Sequence, residues 1–279
     1  MTTPTEPRAK RRKSLGQHFL INGRVLSRIV SAAEITSRDL VLEIGPGTGA
    51  LTRRLVDHGC QVVAIELDHQ LAISLPGRLG NPPNLTVIEG DARKADLSTL
   101  VTPGTDYKVV GNLPYYAANP IVRRFLETAH QPRLMVVTVQ EEVARSMSAA
   151  PGKMGLLSVA VQFYASPKLV CTVPSRAFNP PPKVKSAVIR LDIRPQPAVK
   201  VAAPRAFFDL VKAGFASPRK QLRNSLAHGL GVPTAAVGRL LASLELDATR
   251  RPATLSLDEW ALINHAWEQL EKVENPSIR

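Results

Sequence analysis

The chain has 279 residues, which is enough for one large domain or for a large domain with a smaller one attached. Its 36 lysine and arginine residues against 23 acidic residues give a net charge of +13, which favours a polyanionic partner such as nucleic acid. No apolar run approaches the roughly 18 residues of a membrane-spanning helix, and the two cysteines lack metal-ligand spacing, so we expect an intracellular, reduced protein without a metal site.

Residues 1–14 predict a basic flexible arm, in which Arg11, Arg12 and Lys13 are candidate contacts to phosphate groups. An organelle transit peptide is the alternative, but the stretch contains no amphipathic helix. The segment Gly16-Gln17-His18-Phe19-Leu20 follows, and the spacing of apolar residues then predicts a helix over residues 24–33.

A strand, a glycine loop, a helix and a second strand come next. The strands are predicted over residues 40–44 and 61–65, and the loop Gly45-Pro46-Gly47-Thr48-Gly49 and a helix over 50–58 separate them. Glycines let the backbone approach a ligand closely, and Glu66, an acid about 20 positions after the loop, can bind ribose hydroxyls. The same spacing satisfies the pattern of dinucleotide enzymes, so these residues alone leave NAD as an alternative.

Strands and helices continue to alternate, which predicts a parallel, doubly wound α/β sheet. Asp91 follows the third strand, where it can accept a hydrogen bond from an adenine amine or simply cap the next turn. The further strands are predicted over residues 85–89, 107–111 and 134–139, and the further helices over 119–129 and 141–148.

The stretch Asn112-Leu113-Pro114-Tyr115 follows the fourth strand, at the sheet edge where open α/β folds bind ligands. The Asn112 side chain and the Leu113 carbonyl can both accept hydrogen bonds. Pro114 stiffens the turn, and Tyr115 offers a ring for stacking. These groups suit the exocyclic amine of a planar base, because two acceptors and a clamped ring favour the pyramidal amine of the transition state. An ordinary proline turn is the alternative.

The pattern changes beyond Pro151. A helix over residues 156–164 precedes strands over 168–173 and 186–193. The loop between these strands contains three successive prolines after Phe178-Asn179. Such a stiff loop can hold Phe178 opposite Tyr115 as a second aromatic face, with a core phenylalanine as the alternative.

Residues 196–204 predict a linker, and residues 205–279 predict a small α-helical domain. Arg219, Lys220 and Arg223 lie near the start of its second helix, where backbone donors add to side-chain charge in favour of phosphate. A solvated basic face is the alternative, but the charge of the whole chain favours RNA. The helices are predicted over residues 206–215, 220–228, 234–244 and 257–271.

These motifs, in this order, closely resemble the small-subunit ribosomal RNA adenine N6,N6-dimethyltransferases, the KsgA (RsmA) family. The resemblance covers nearly the whole chain and also includes Ile65-Glu66-Leu67-Asp68 and Gly90-Asp91-Ala92. It implies a Rossmann-like class I methyltransferase domain with a seven-stranded, doubly wound sheet over residues 15–195, S-adenosylmethionine in place of NAD, and an RNA-binding helical domain. The implied reaction adds two methyl groups to each of two adjacent adenosines in the 3′-terminal hairpin loop of 16S ribosomal RNA, coupled to small-subunit biogenesis.

By position, the resemblance implies that Gly45 and Gly47 line the methionine part of the cofactor. Glu66 would bind the ribose hydroxyls, Asp91 would bind the adenine amine, and Asn112 would touch both the cofactor and the target base.

His18 and Leu20 would close the site from the N-terminal side. Many family members carry asparagine where this chain has His18, and a protonated imidazole there would be unfavourable beside the cationic sulfonium. In the mechanism that we expect, the target adenine leaves its stack and enters between Tyr115 and Phe178.

The expected partner is 16S ribosomal RNA within the immature small subunit, and we expect a cytoplasmic monomer without membrane association. Two alternatives remain at this point. One is a 23S ribosomal RNA methyltransferase of the macrolide-resistance type, which shares the glycine loop and the Asn112–Tyr115 motif. The other is a mainly non-catalytic RNA-binding factor for ribosome assembly.

Overall fold

The structure is a computed structural model that describes the backbone of residues 17–102 and 104–274 and the side chains of residues 17–102 and 104–270. The predicted basic arm, with Arg11, Arg12 and Lys13, lies outside the described residues. The elements in chain order are β1 (Phe19–Leu20), α1 (Gly23–Ala32), β2 (Leu40–Ile44), α2 (Ala50–Asp57), β3 (Gln61–Glu66), α3 (His69–Arg78), β4 (Leu85–Glu89), α4 (Leu97–Leu100), β5 (Tyr107–Asn112), α5 (Ala118–Glu127), β6 (Leu134–Gln140), α6 (Glu141–Met147), α7 (Leu156–Tyr164), β7 (Ala165–Val173), β8 (Phe178–Asn179), β9 (Ser186–Ile193), α8 (Pro204–Gly214), α9 (Leu222–Leu230), α10 (Thr234–Ser243) and α11 (Leu257–Glu274).

Among the described residues, seven strands form one sheet in the order β4-β3-β2-β5-β6-β9-β7. The first five strands in this order, β4 to β6, are parallel to one another. The order reverses between β2 and β5, because the chain first builds outward to β4 and then continues on the other side of β2. Doubly wound sheets bind ligands beyond the carboxyl ends of their strands at such a reversal. The predicted Rossmann-like α/β architecture with seven strands is confirmed.

The prediction of a parallel sheet is wrong for β9, which pairs antiparallel with β6 from Ser186 opposite Gln140 to Asp192 opposite Leu134. The reason is how the chain enters β9, which lies between β6 and β7 in the sheet. The chain reaches β9 from β7 through the proline-rich loop, without the crossover helix that a parallel strand would need. A separate antiparallel pair, β1 with β8, joins the N-terminal segment to that same loop.

Helix α3 has no counterpart among the predicted elements, because Pro76 and Gly77 in its last turn lower its helix propensity. Its first turn is capped by the Asp68 carboxylate, which accepts hydrogen bonds from two backbone N–H groups. Leu75 on its inner face is fully buried. Capping and burial of the apolar face therefore outweigh the two helix-breaking residues.

A buried lysine fixes the amino end of β5. Lys108 is 2% exposed, and its Nζ donates to the Glu34 carbonyl oxygen at 2.6 Å and lies 2.9 Å from the Asp39 carboxylate. A buried charge is tolerated only when it is paired and hydrogen-bonded. These contacts hold the strand whose other end carries Asn112.

The described residues form two units. The sheet unit contains the residues up to Ala144 together with Pro167–Ile193, and the helical unit contains Arg145–Ser166 and the residues from Arg194 onward. The structure divides the chain between Ile193 and Arg194, close to the predicted boundary at residue 195, but Arg145–Ser166, which contain α7, belong to the helical unit and not to the predicted sheet domain. The reason is the apolar character of α7: its Phe163 is fully buried and stacks on Phe207 of α8 at a centroid distance of 5.1 Å.

The close packing of α8 and α9 in the helical unit can be tested at a glycine. A Cβ on Gly229 would overlap the Ala213 backbone, whereas a Cβ on Gly238 in α10 would meet nothing within 4 Å. We expect Gly229→Ala to lower the free energy of unfolding by about 1–3 kcal/mol, because the two backbones must separate. The matched control Gly238→Ala should be neutral or stabilising by up to about 1 kcal/mol, because alanine favours helix. Urea unfolding monitored by circular dichroism checks both, and equal effects would contradict this packing.

Candidate active site

The two strands at the reversal of the sheet approach each other unusually closely. Gly111 of β5 lies opposite Ile44 of β2, and a Cβ on Gly111 would lie 2.5 Å from the Ile44 carbonyl oxygen. Only glycine allows this approach without displacing a strand. As a result Asn112 lies beside the glycine loop: a Cβ on Gly45 would lie 3.6 Å from the Asn112 carbonyl oxygen.

A narrow space, which we call the cradle, lies beside Gly45 and Gly47 of the glycine loop. Gly45 and Gly47 have φ angles of 68° and 58°, in the left-handed region that favours glycine. The Gly45 N–H donates to the Ile65 carbonyl oxygen at 2.9 Å and ties the loop to the end of β3. A Cβ on Gly47 would come within 2.9 Å of the Phe19 ring. The space beside the loop is therefore kept by the absence of a side chain and closed on one side by Phe19.

Glu66, at the end of β3, faces this cradle with its carboxylate fixed by backbone donors. Its Oε2 accepts from the Gly47 N–H and its Oε1 from the Asp68 N–H, both at 2.9 Å. The side chain is 6% exposed, and burial raises the pKa of the carboxyl. Each oxygen has a second lone pair with which to accept a hydrogen bond from a ligand hydroxyl.

The side-chain amide of Asn112 has a defined orientation. Its Nδ2 donates to the His18 carbonyl oxygen at 2.8 Å. Because a carbonyl oxygen can only accept, the nitrogen must face His18, and Oδ1 is the atom available as an acceptor. The next residue is held equally well, since the Leu113 N–H donates to the Thr138 carbonyl oxygen of β6 at 3.1 Å.

Tyr115 and His18 form an aromatic wall. Their rings lie with centroids 5.9 Å apart and planes inclined by 27°. The Tyr115 hydroxyl is hydrogen-bonded to Ser186 Oγ at 2.6 Å, and burial raises its pKa. His18 Nδ1 lies 2.8 Å from the Pro180 carbonyl oxygen, so Nδ1 carries the hydrogen and donates. Both rings are therefore held from behind by the segment around β8 and β9.

One pocket, with an empty volume of about 480 Å³, brings together most of the predicted site residues. Leu20 lies outside it, buried in the core and lining an adjoining pocket of about 340 Å³. The larger pocket is lined by Gln17, His18, Phe19, Gly45, Gly47, Glu66, Asn112, Leu113, Pro114 and Tyr115.

Asp91 follows β4 at the same sheet edge but is not part of that lining. Its Oδ1 accepts from the Arg93 backbone N–H at 2.9 Å, so the side chain caps the following turn, as the alternative interpretation proposed. The Arg93 guanidinium also donates hydrogen bonds to both carboxylate oxygens, the shortest at 2.6 Å. These bonds lower the pKa of Asp91. The carboxylate is thus ionised and fixed in place, and its predicted contact to the cofactor stays a prediction.

Phe178 does not form the second aromatic face in this structure. It is 3% exposed and packs in the core of the sheet unit, outside the pocket lining. The physical reason is its pairing: β8 adds to β1 with Phe178 opposite Leu20, and both apolar side chains enter the core. The core alternative therefore describes Phe178, and His18 is the ring that lies beside Tyr115 instead.

Arg219, Lys220 and Arg223 are exposed at the start of α9 in the helical unit. Their contact to RNA stays a prediction. Within the described residues no group of three or more histidine, cysteine or acidic side chains could hold a metal ion. No helix in that part of the chain has the length and apolar character needed to cross a membrane.

Sequence reasoning missed the importance of Glu43. This carboxyl is 1% exposed, lines the adjoining pocket, and has no hydrogen-bond partner for Oε2 among the described residues. Burial raises the pKa of Glu43 to about 8, and the Glu66 carboxyl adds to the effect. An acid in the middle of the apolar strand β2 is the signal that could have revealed it, because strand interiors exclude unpaired carboxyls.

Comparison with known proteins identifies the family. The sequence model of the family described as ribosomal RNA adenine dimethylase matches residues 8–258. A relative from Dehalococcoides mccartyi, named ribosomal RNA small subunit methyltransferase A, is 45% identical over 253 residues, which cover 90% of this chain and 87% of the relative. The solved structure of a dimethyladenosine transferase from Plasmodium falciparum is 26% identical with a TM-score of 0.77, covering 93% of this chain and 98% of that one. The solved structure of the 23S rRNA methyltransferase ErmE is 29% identical with a TM-score of 0.71, covering 90% and 100%.

The seven-stranded sheet with its glycine loop and pocket at the reversal defines a Rossmann-like class I methyltransferase. The family match extends over most of the chain, so the protein belongs to the ribosomal RNA adenine dimethylase family and is an enzyme that dimethylates adenine in ribosomal RNA with S-adenosylmethionine. The residues present fit that cofactor. The cradle at Gly47 is one that a Cβ would fill, and the Glu66 carboxyl, held by two backbone donors, keeps lone pairs for ligand hydroxyls.

The buried Glu43 predicts a pH dependence of stability. Between its ordinary pKa of 4.5 and about 8, the folded protein holds a proton that the unfolded chain has released. Stability from this group is therefore fully present below pH about 4.5 and declines as pH rises toward 8, by up to about 1.4 kcal/mol per pH unit.

Glu43→Gln should remove this decline, because the amide does not titrate. The measurement is urea unfolding of both proteins at several pH values from 5 to 8, and the variant's advantage in unfolding free energy should grow with pH. A difference that is constant across this range would show that Glu43 is ionised in the folded protein.

Proposed function

We propose that this enzyme dimethylates the N6 amines of two adjacent adenosines in the 3′-terminal hairpin loop of 16S ribosomal RNA, acting on the immature small subunit. The observation that carries the adenine chemistry is the oriented amide of Asn112, whose nitrogen is committed to the His18 carbonyl. Its oxygen is then the acceptor at the pocket. The choice of the small subunit is supported by the name of the Dehalococcoides relative.

The reaction that we propose depends on orientation. The target base leaves its stack and lies against Tyr115, while Asn112 Oδ1 and the Leu113 carbonyl oxygen accept from its N6 amine. These acceptors favour the pyramidal amine, so their hydrogen bonds strengthen toward the transition state. S-adenosylmethionine supplies the electrophilic methyl group. No dedicated general base is required, because the methylated nitrogen is cationic and readily releases its proton to water.

The proposed cofactor contacts follow the sheet edge. Gly45 and Gly47 receive the methionine part, and Glu66 accepts from the ribose hydroxyls with the oxygens that the backbone already orients. Asp91 accepts from the adenine amine while Arg93 holds its carboxylate in place. His18 covers the site from the N-terminal segment, and Leu20 supports it from the core.

RNA contacts are proposed on two basic segments. Arg219, Lys220 and Arg223 are exposed near the start of α9, where a phosphate is favoured by both side-chain charge and backbone donors. Arg11, Arg12 and Lys13 would add contacts from the N-terminal arm. A net charge of +13 supports an electrostatic affinity that weakens as salt rises. We propose that the enzyme acts as a monomer in the cytoplasm, where immature subunits are found.

Asn112→Ala tests the assigned chemistry. We expect the methylation rate to fall about 100-fold or more, because an acceptor that acts in the transition state is lost. RNA affinity should change less than about threefold, because affinity depends mainly on phosphate contacts. Single-turnover methylation and fluorescence anisotropy measure the two quantities.

Asn119→Ala is the matched control, since Asn119 is exposed in the same connection, in the first turn of α5. It should leave both quantities unchanged. Equal losses of rate and affinity in Asn112→Ala would show that Asn112 serves binding and has no special role in the chemistry.

The substrate is tested by transfer of radiolabelled methyl groups from S-adenosylmethionine to unmethylated small subunits, large subunits and their free RNAs, followed by nucleoside analysis. We expect dimethyladenosine in small-subunit RNA alone. Label in large-subunit RNA would favour a 23S methyltransferase, the activity named for the structural neighbour ErmE. Binding without transfer to any substrate would favour a non-catalytic assembly factor.

A further inference from the structure

Two consecutive tyrosines follow the acceptor strand β5, and they face different surroundings. Tyr115 lines the pocket, with its hydroxyl tied to Ser186. Tyr116 is 52% exposed, and among the described residues it is the one Phe, Tyr or Trp ring that counts as exposed. Consecutive Cα atoms are about 3.8 Å apart, so Tyr116 lies at the edge of the site. The catalytic chemistry derived above makes no use of it.

The exposed ring has a cationic neighbour. The Arg93 guanidinium carbon lies 5.7 Å from the Tyr116 ring centroid, within the range of a cation–π contact. Arg93 is fixed by the Asp91 carboxylate through both Nε and Nη2, at 2.6 to 3.0 Å. Its side chain is nevertheless 39% exposed. The surface therefore presents an aromatic face and an ion-paired guanidinium whose relative position is set before any ligand arrives.

An aromatic ring beside a fixed arginine is the combination with which proteins bind unstacked RNA bases. Every base has a π-face that can stack on the ring, and the guanidinium can stack as well or contact a phosphate. A neutral apolar protein segment would use the ring but would not need the arginine. The position also favours this ligand, because Tyr116 directly follows Tyr115 in the chain, as the neighbouring nucleotide directly follows the target adenosine.

We propose that Tyr116 and Arg93 form a stacking platform for the RNA base adjacent to the reacting adenosine. The proposal rests on the proposed function and adds to it a second base-binding position. Holding the neighbouring base fixes the backbone on one side of the extruded nucleotide, so the platform raises affinity and sets which adenosine enters the pocket.

A double-mutant cycle tests the platform. The probe is a synthetic RNA hairpin carrying the target loop, made either intact or with one abasic nucleotide on either side of the target adenosine. Affinities of the wild-type protein and of Tyr116→Ala are measured by fluorescence anisotropy at low ionic strength, where phosphate contacts keep binding measurable. We expect Tyr116→Ala to weaken binding of the intact hairpin about tenfold and to abolish the effect of the abasic change at one flanking position.

Two control variants separate stacking from other effects. Tyr116→Phe keeps the ring and should bind as the wild type does. Leu169→Ala removes another exposed apolar side chain of the sheet unit, 42% exposed on β7, and should change nothing. Cofactor affinity, measured by calorimetry, should be the same in all variants.

Three outcomes would overturn the platform. One is an unchanged affinity in Tyr116→Ala, and another is a loss that simply adds to the abasic effect at both flanking positions. The third is a loss seen on assembled small subunits but not on the hairpin, which would assign the ring to a protein contact. On subunits we expect a raised KM with nearly unchanged kcat. A failure of the proposed function is distinguishable, because the wild-type protein itself would then transfer no methyl groups to small-subunit RNA.

Discussion

The site depends on the close approach of β2 and β5 at the reversal of the sheet. Because Gly111 has no side chain, its strand can lie against the Ile44 carbonyl, and this brings Asn112 beside the glycine loop. The Asn112 amide then holds the His18 carbonyl, and the N-terminal segment is held further by the pairing of β1 with β8. The absence of a Cβ at Gly111 therefore positions Asn112, and Asn112 in turn positions the N-terminal segment that borders the pocket.

The net charge of the chain and the two carboxyls buried near the pocket have opposite signs. The chain carries a net charge of +13, yet it buries the carboxyls of Glu43, inside β2, and of Glu66, at the end of β3. Burying a carboxyl without a cation is costly, and the raised pKa values of both groups express that cost. A cationic cofactor would relieve it, while the basic exterior suits phosphates. The distribution therefore matches a small cation inside and a polyanion outside.

Residues with local signals were predicted well. The bounds of β2, β4, α7 and β9 agree with the structure, because apolar runs between turn residues define strands and helices directly. The glycine loop, Glu66 and Asn112–Tyr115 meet in one pocket as predicted, because parallel strands end at a common edge. Helix α3 was not predicted, because Pro76 and Gly77 lower its helix propensity although one of its faces is buried. The grouping of α7 with the C-terminal helices was not predicted either, because the helices that it contacts are distant in sequence.

The amino-acid sequence by itself indicated the class of enzyme, because the glycine loop, Glu66, Asp91 and the Asn-Leu-Pro-Tyr stretch occur in the order that the resembling family shows, whereas the glycine loop and the acid alone left NAD open. Only the tertiary structure decided which aromatic rings reach the pocket. Phe178 and His18 are both far from Tyr115 in sequence, and strand pairing between β1 and β8 buries the first while the Pro180 carbonyl holds the second beside Tyr115. The same holds for Glu43, whose raised pKa arises from burial beneath elements that are remote in the chain.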